Sequence, residues 1–239
     1  MSGLFDQETE SELKNIFAKW PRNLKDTLII DEDRHEGPHS HENPLDHCHT
    51  CDDAVMLANE LARISEGKLR FNIMKKAEAK EYKPRYLPSF IYDTPSRNVR
   101  YYGLPSGQEF APFIFVHEYI ATNALKLPKE VIEEVEAIDA PLHIKVFVTP
   151  ECPYCPLVVD FANQVGLINP NIIVETIEAM ENPIEADYYG VQYVPFVAIT
   201  RVEDYYRYGA KPVEVIPGYL PPEEAVKVIS RAARKLKRS

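Results

Sequence analysis

Hydrophobic and polar positions change their period several times along the chain, and each change predicts a new element. In the second half, residues 142–148 alternate as a strand and stop at residues 149–151, directly before Cys152. After Cys155 the apolar positions recur at helical spacing as far as Gly166. The pattern therefore predicts a strand that delivers a cysteine pair to the beginning of a helix.

The remainder of the second half completes the order β-α-β-α-β-β-α. The elements predicted after Gly166 are a strand over 172–177, a helix around 183–189, strands over 195–201 and 213–217, and a closing helix from Pro221. Strands that alternate with helices in this way are typical of an α/β fold with a mixed sheet.

The first half repeats this order. Its predicted elements are a strand over 27–30, a helix over 54–64, strands over 69–73, 89–92 and 99–102, and a long helix after Ser106. Cys48 precedes Pro88 by nearly the same distance at which Cys152 precedes Pro195. Two copies of one fold explain this internal similarity. We expect an α/β protein with two tandem domains, 1–126 and 127–239, each a central mixed β-sheet flanked by helices.

An additional helix is predicted within residues 1–24, ahead of the first repeat. Leu13, Ile16, Phe17 and Trp20 fall on one side of it. We expect this apolar face to pack against one of the two domains.

Composition narrows the class of protein. Hydrophobic residues make up 45% of the 239 positions, and the formal net charge is -10, which argues against binding to a nucleic-acid backbone. No apolar run is long enough to cross a bilayer, and no basic segment followed by an apolar core opens the chain. We expect a cytoplasmic protein with no membrane or nucleic-acid partner. Twenty prolines against nine glycines are a mild indication of a thermophilic source.

All four cysteines occur in two pairs with two residues between the partners, Cys48/Cys51 and Cys152/Cys155. In a cytoplasmic chain this spacing indicates redox chemistry or metal ligation. A helix N-terminus stabilises a thiolate through its free N–H groups and its dipole. We therefore predict that Cys152, exposed in the first turn of its helix, attacks a disulfide and that Cys155 resolves the mixed disulfide.

A second interpretation concerns the polar segment before the first pair. Five of the seven histidines lie in this segment or in the pair itself: His35, His39, His41, His47 and His49. Two thiolates and two imidazoles could complete a tetrahedral zinc shell. The alternative hypothesis is therefore a metal-binding protein that uses these histidines with Cys48 and Cys51. A solvated loop whose histidines lower the thiol pKa, or do nothing, is the third interpretation.

The motifs also resemble a known family. Cys152-Pro153-Tyr154-Cys155 is the active-site tetrapeptide typical of glutaredoxins. The two-domain layout, the segment 193–195 and the segment 102–107 are similar to the protein disulfide oxidoreductases of hyperthermophiles. The resemblance implies two tandem thioredoxin-fold domains and cytosolic formation, reduction or isomerisation of protein disulfides at the two cysteine pairs. It implies no cofactor, and it suggests a thioredoxin-reductase-like flavoenzyme as a source of electrons.

The resemblance also implies a substrate-binding surface. A cis-proline faces each cysteine pair in that family, and the matching residues here are Pro195 after Val194 and Pro88 after Leu87. Such a proline leaves the backbone of the preceding residue free to pair with an extended substrate strand. Pro153 and Tyr154 complete the expected substrate-binding set beside Cys152.

Several positions depart from related families. Glu151 and His47 stand where thioredoxin has a tryptophan, and Val146 stands where thioredoxin has a buried aspartate. The chain also lacks the Gly-Gly-Xaa-Asp segment that glutaredoxins use for glutathione, so we do not expect glutathione to be its main partner. Because Pro153 stiffens the second tetrapeptide, we expect the second site to carry most of the reductase activity.

Overall fold

The computed structural model describes residues 3–31, 48–207 and 209–237. The described part contains every predicted helix and strand, with ends that move by up to three residues. The helices are α1 (Gln7–Ala18), α2 (Cys51–Ile64), α3 (Phe110–Thr122), α4 (Lys129–Glu136), α5 (Cys155–Ile168), α6 (Pro183–Tyr188) and α7 (Pro222–Lys237). The strands are β1 (Leu24–Ile30), β2 (Leu69–Lys75), β3 (Ser89–Ile91), β4 (Val99–Tyr102), β5 (Leu142–Val148), β6 (Ile172–Glu178), β7 (Phe196–Arg201) and β8 (Glu214–Pro217).

The eight strands form one continuous sheet in the order β2-β1-β3-β4-β6-β5-β7-β8. In the first half β1 pairs in parallel with β2 and antiparallel with β3, and in the second half β5 pairs in the same two ways with β6 and β7. The halves join where β4 runs parallel to β6, from Val99 opposite Val174 to Tyr102 opposite Ile177. The tandem mixed-sheet fold is therefore confirmed, with the two sheets fused edge to edge.

One face of the sheet is covered by the long helices. α3 of the first half packs against α5 of the second, so a single apolar core extends under both. The expected packing of α1 is also present, because Leu13, Phe17 and Trp20 are buried and the Trp20 ring stacks on His117 of α3. Helix α1 and Trp20 therefore complete the core of the first half.

The opposite face of the sheet carries a buried charge network at the junction of the halves. Lys145 and Arg85 both contact the carboxylate of Glu185, and the Arg85 distance is 2.7 Å. His143 lies 2.8 Å from Glu175. Burial by itself raises the pKa of Glu175, but His143 and Arg85 outweigh it and hold the pKa far below its ordinary value. Each of these charges has a partner inside the protein. Loss of one partner would therefore leave the other buried without a counter-charge.

Three short 3-10 segments link the main elements, at Lys80–Tyr82, Gly107–Glu109 and Val202–Asp204. Among the described residues, no helix combines the length and the apolar character that crossing a bilayer requires.

Candidate redox site

The second cysteine pair lies in the turn between β5 and α5. Cys152 and Cys155 form a disulfide with Cα atoms 5.5 Å apart. The backbone N–H of Cys155 donates a hydrogen bond to the sulfur of Cys152 at 3.1 Å. An N–H at a helix N-terminus that points at a sulfur stabilises its thiolate when the disulfide is reduced. This geometry suits Cys152 to nucleophilic attack.

Two details of this pair differ from the sequence prediction. We predicted Cys152 in the first turn of the helix, but α5 begins at Cys155, and Tyr154 is its N-cap. Pro153 and Tyr154 occupy the turn before the helix, so Cys152 lies beyond its end and receives only the directed N–H. Cys152 was also predicted to be exposed, whereas 6% of it is accessible and Cys155 is fully buried. Cys152 remains the more accessible residue of the pair.

The first cysteine pair occupies the equivalent turn before α2. Cys48 and Cys51 form a disulfide, again with Cα atoms 5.5 Å apart. Thr50 is the N-cap residue of α2, but its side chain does not cap the helix. Its hydroxyl donates instead to the carboxylate of Glu181, which follows β6 in the other half. Among the described residues, the Cys51 N–H makes no bond to Cys48 like the one at the second pair.

Both expected cis-prolines are cis in the structure, after Leu87 and after Val194. The carbonyl of Pro88 accepts the N–H of Gly103 at 3.0 Å, and the carbonyl of Pro195 accepts the N–H of Gly218 at 2.9 Å. The two halves therefore hold their prolines in the same backbone frame.

The residues before the two prolines differ in exposure. Tyr193 is 62% exposed, and Val194 is partly exposed. Within the described residues, the N–H and carbonyl groups of Val194 have no hydrogen-bond partner. In the first half, Leu87 is buried, and the buried Tyr86 before it donates to Glu185 of the second half. The second cis-proline segment is therefore the more exposed of the two.

Exposed apolar side chains surround the second pair. The rings of Tyr154 and Tyr219 stack with their centroids 6.2 Å apart, and both remain substantially exposed. Leu157 and Tyr193 are also exposed. Clusters of exposed aromatic residues are typical of surfaces that bind other macromolecules. We call Tyr154, Leu157, Tyr193 and Tyr219 the aromatic rim.

One buried acid near this site, Glu109, was not predicted from the sequence. The segment Gly107–Glu109 packs on the loop before Cys152, since the Gln108 N–H donates to the Pro150 carbonyl at 2.8 Å. A Cβ on Gly107 would lie 2.4 Å from that carbonyl, so only glycine allows this approach. This segment also contacts α5.

Glu109 itself is fully buried, and neither carboxyl oxygen has a hydrogen-bond partner in the described structure. Burial, and then the nearby carboxylate of Glu178, raises the pKa of Glu109 to about 8. No pattern in the sequence indicates this residue, because its segment belongs to the first half and packs against the second.

The metal hypothesis involves residues that the structure does not describe. His35, His39, His41 and His47 lie outside the described residues, and His49 is exposed. Within the described ranges, no three side chains of the ligating types come together as a metal site would require. The zinc site therefore stays a prediction.

Comparisons with known proteins agree with this geometry. Residues 142–209 match a family described as a thioredoxin domain. An alkyl hydroperoxide reductase protein of Staphylococcus epidermidis is 31% identical over 87 residues, which are 36% of this chain and 17% of that protein. An NADH dehydrogenase of Bacillus subtilis is 27% identical over 150 residues, or 62% of this chain and 28% of that protein. The chain thus spans less than a third of the length of either relative.

Similar solved structures cover nearly the whole chain. A protein disulfide oxidoreductase from Aeropyrum pernix superposes with a TM-score of 0.78 at 23% identity, over 96% of this chain and 94% of that one. An alkyl hydroperoxide reductase protein of Enterococcus faecalis gives 0.72 at 18% identity, over 93% and 98%. The resemblance to protein disulfide oxidoreductases is therefore confirmed in the fold: the chain consists of two thioredoxin folds in tandem, and each carries one Cys-x-x-Cys disulfide.

Proposed function

We propose that this protein is a thiol–disulfide oxidoreductase that acts on protein disulfides and dithiols, chiefly through Cys152 and Cys155. The observation that carries the proposal is the combination at the second pair of a sulfur that accepts a helix N–H and an adjacent strand edge open to substrate. Among the described residues, the first pair has no such N–H bond, and Leu87 beside it is buried. It serves as a second redox centre in the same chain.

The exchange follows from the chemistry of the pair. After a donor supplies two electrons and two protons, the Cys152 thiolate attacks one sulfur of a substrate disulfide, and the other substrate sulfur leaves as a thiolate that takes up a proton. Cys155 then loses its proton and attacks Cys152, which re-forms the Cys152–Cys155 disulfide and releases the second substrate thiol. The reverse sequence oxidises a substrate dithiol.

Glu109 supplies a route for the proton of the resolving step. Cys155 is fully buried, so its thiol cannot pass its proton directly to bulk water. Glu109 sits in the segment that contacts α5, and its pKa of about 8 is close to the ordinary pKa of a thiol. We propose that its carboxylate accepts the proton of Cys155 as that sulfur attacks.

The substrate class follows from the surface around Cys152. An extended polypeptide would pair its backbone with Val194, as a strand added to a sheet edge does. Its apolar side chains would lie on the aromatic rim. Backbone pairing and apolar contacts do not require one particular side-chain sequence, so they support a broad range of unfolded or flexible protein substrates.

The remaining expectations fit this proposal. We place the domain boundary at residues 126 and 127, between the end of α3 and the start of α4. We propose a cytoplasmic location, with a thioredoxin-reductase-like flavoenzyme as the electron donor. Two redox centres in one chain raise the effective concentration for a second exchange, so we expect isomerisation to need both pairs although reduction needs one.

Insulin reduction tests the proposal. We expect the protein to accelerate insulin precipitation in the presence of dithiothreitol. The Cys152→Ser/Cys155→Ser variant should lose most of this acceleration, and the matched Cys48→Ser/Cys51→Ser variant should keep most of it. Wild-type protein that precipitates insulin no faster than dithiothreitol alone would contradict the proposed function.

A further inference from the structure

Glu181 belongs to the second half but contacts the first redox pair. One carboxylate oxygen accepts the hydroxyl of Thr50, the residue directly before Cys51. The other accepts the backbone N–H of Leu104 at 2.8 Å. Its own N–H donates to Glu178 at 2.6 Å, so the residue is held at both ends. A carboxylate from one thioredoxin fold is therefore fixed beside the tetrapeptide of the other.

The backbone around Glu181 is built for this approach. Gly103 adopts a φ of 103°, which favours glycine. A Cβ at Gly103 would lie 2.6 Å from the Cβ of Glu178 and 3.0 Å from a carboxylate oxygen of Glu181. Glu178 and Glu181 can therefore approach the first half this closely only because residue 103 is a glycine.

Because of the contact with Glu181, Thr50 does not cap α2 with its side chain. An N-cap threonine normally accepts an N–H of the first helical turn with its side chain, and this contributes about 1 kcal/mol to the stability of a helix. Thr50 makes no such bond, because its hydroxyl donates to Glu181. That hydroxyl is then also unable to donate to a thiolate of the reduced pair.

We infer that Glu181 is a positioning residue that makes the Cys48–Cys51 pair more strongly reducing. A negative charge beside the pair disfavours the thiolate form, and a dithiol that is less stabilised gives up its electrons more readily. The acidic Asp52 and Asp53 in the first turn of α2 act in the same direction, and the exposed His49 acts in the opposite direction when protonated. The inference rests on the redox function proposed above.

The test is the equilibrium of the first pair with glutathione. In this reaction, the Cys48–Cys51 disulfide takes up two electrons and two protons while two glutathione thiols become one glutathione disulfide. The measurement uses the full chain with Cys152→Ser/Cys155→Ser, so that only the first pair reacts. Trapped samples are then separated by mass after alkylation.

We expect Glu181→Gln, which keeps the shape and an acceptor oxygen, to shift this equilibrium toward the dithiol by about tenfold, or ~30 mV. Glu181→Lys should shift it further in the same direction, because the effect depends on charge. Glu151→Gln removes an equal charge beside the second pair and is the matched control, for which no shift is expected. Thermal unfolding of each oxidised variant verifies that it folds.

The outcomes separate the two claims. If the first pair equilibrates with glutathione but neither Glu181 variant moves the constant, or both move it toward the disulfide, the inference is overturned and the redox function stands. If Glu181→Gln and Glu181→Lys shift the constant equally, the charge argument is overturned. If the first pair does not exchange with glutathione at all, the inference and the redox role of the first pair both fail.

Discussion

The two cis-proline segments have the same backbone frame and opposite surroundings. In each half the proline carbonyl accepts a glycine N–H, yet the two residues before Pro195 are exposed or partly exposed and the two before Pro88 are buried. Leu87 is buried against residues of its own half, among them Cys51 and Ile91, while Tyr86 donates to Glu185 across the junction. The two halves therefore share the backbone of the cis-proline turn, and the second half leaves more of that segment exposed.

The surroundings of the two sulfur pairs differ in the same sense. Cys152 accepts a helix N–H, and the second pair has a buried acid within the adjoining segment. Thr50 of the first pair is engaged by a carboxylate from the other half. The two cysteine pairs therefore have the same spacing and the same place before a helix. Their surroundings differ because of contacts across the boundary between the halves.

The largest effect is expected from breaking the buried charge network at the junction of the halves. Glu185→Gln removes the charge that Lys145 and Arg85 share and leaves both cations buried without it. We expect the free energy of unfolding to fall by about 3 to 5 kcal/mol, measured by guanidinium chloride titration. Asp204→Asn, a charge removal on an exposed ion pair, is the control and should change the stability by less than about 1 kcal/mol. Equal effects for the two variants would show that the network does not hold the halves together.

Glu109→Gln should slow the resolving step at Cys155 by about 100-fold, because the buried thiol loses its proton acceptor. Release of substrate from the mixed disulfide, followed by rapid quench, measures this step. The step in the wild type should become faster as the pH rises through about 8, where Glu109 ionises, and the variant should lack that rise. An unchanged pH profile would exclude Glu109 as the acceptor.

Glu109→Gln should also change the stability of the protein, and here the variant should gain where the reaction rate loses. Because the pKa of Glu109 is raised by burial, folding favours its protonated form, and the stabilisation is lost as the pH rises from the ordinary glutamate range through about 8. We expect Glu109→Gln to be more stable than the wild type above pH 8. Chemical denaturation at pH 6 and pH 9 measures the free energy of unfolding of both proteins. If the difference between the wild type and the variant is the same at both pH values, the assignment is contradicted.

The smallest effect is expected at the aromatic rim. Tyr219→Ala should raise the KM for insulin by about fivefold, because substrate side chains lose one face of the ring stack with Tyr154. The rate with a small aromatic disulfide reagent should not change. Tyr206→Ala removes another exposed tyrosine, beyond the far end of β7, and should leave the KM for insulin and the rate with the small reagent unchanged. If the Tyr219 variant behaves like the Tyr206 variant, the aromatic rim does not bind the substrate.

Local patterns predicted most of the fold. The alternation over β5 and the helical spacing after Cys155 gave elements within a few residues of the observed ones. The motifs around Pro88 and Pro195, through their resemblance to a known family, gave both cis bonds. These features depend on neighbours in the sequence, or on motifs that other proteins share.

Contacts across the junction could not be predicted. His143 and Lys145 occupy the polar positions of β5, which face solvent in a half-buried strand, but both are fully buried by partners from β6 and α6. Glu109 lies in a segment that contacts α5 of the other half, and Glu181 accepts the hydroxyl of Thr50 beside the other cysteine pair. A pattern within one repeat carries no information about the side chains that the other repeat places against it.

The central claim is that substrates meet the second pair first, and trapping tests it most directly. The Cys155→Ser variant leaves Cys152 to form a mixed disulfide that cannot be resolved, and Cys51→Ser does the same for Cys48. Each variant is incubated with an unfolded protein that carries one disulfide, and the covalent complexes are measured by non-reducing electrophoresis. We expect Cys155→Ser to accumulate the complex at least about tenfold faster than Cys51→Ser. Equal rates, or faster trapping at Cys48, would contradict the account.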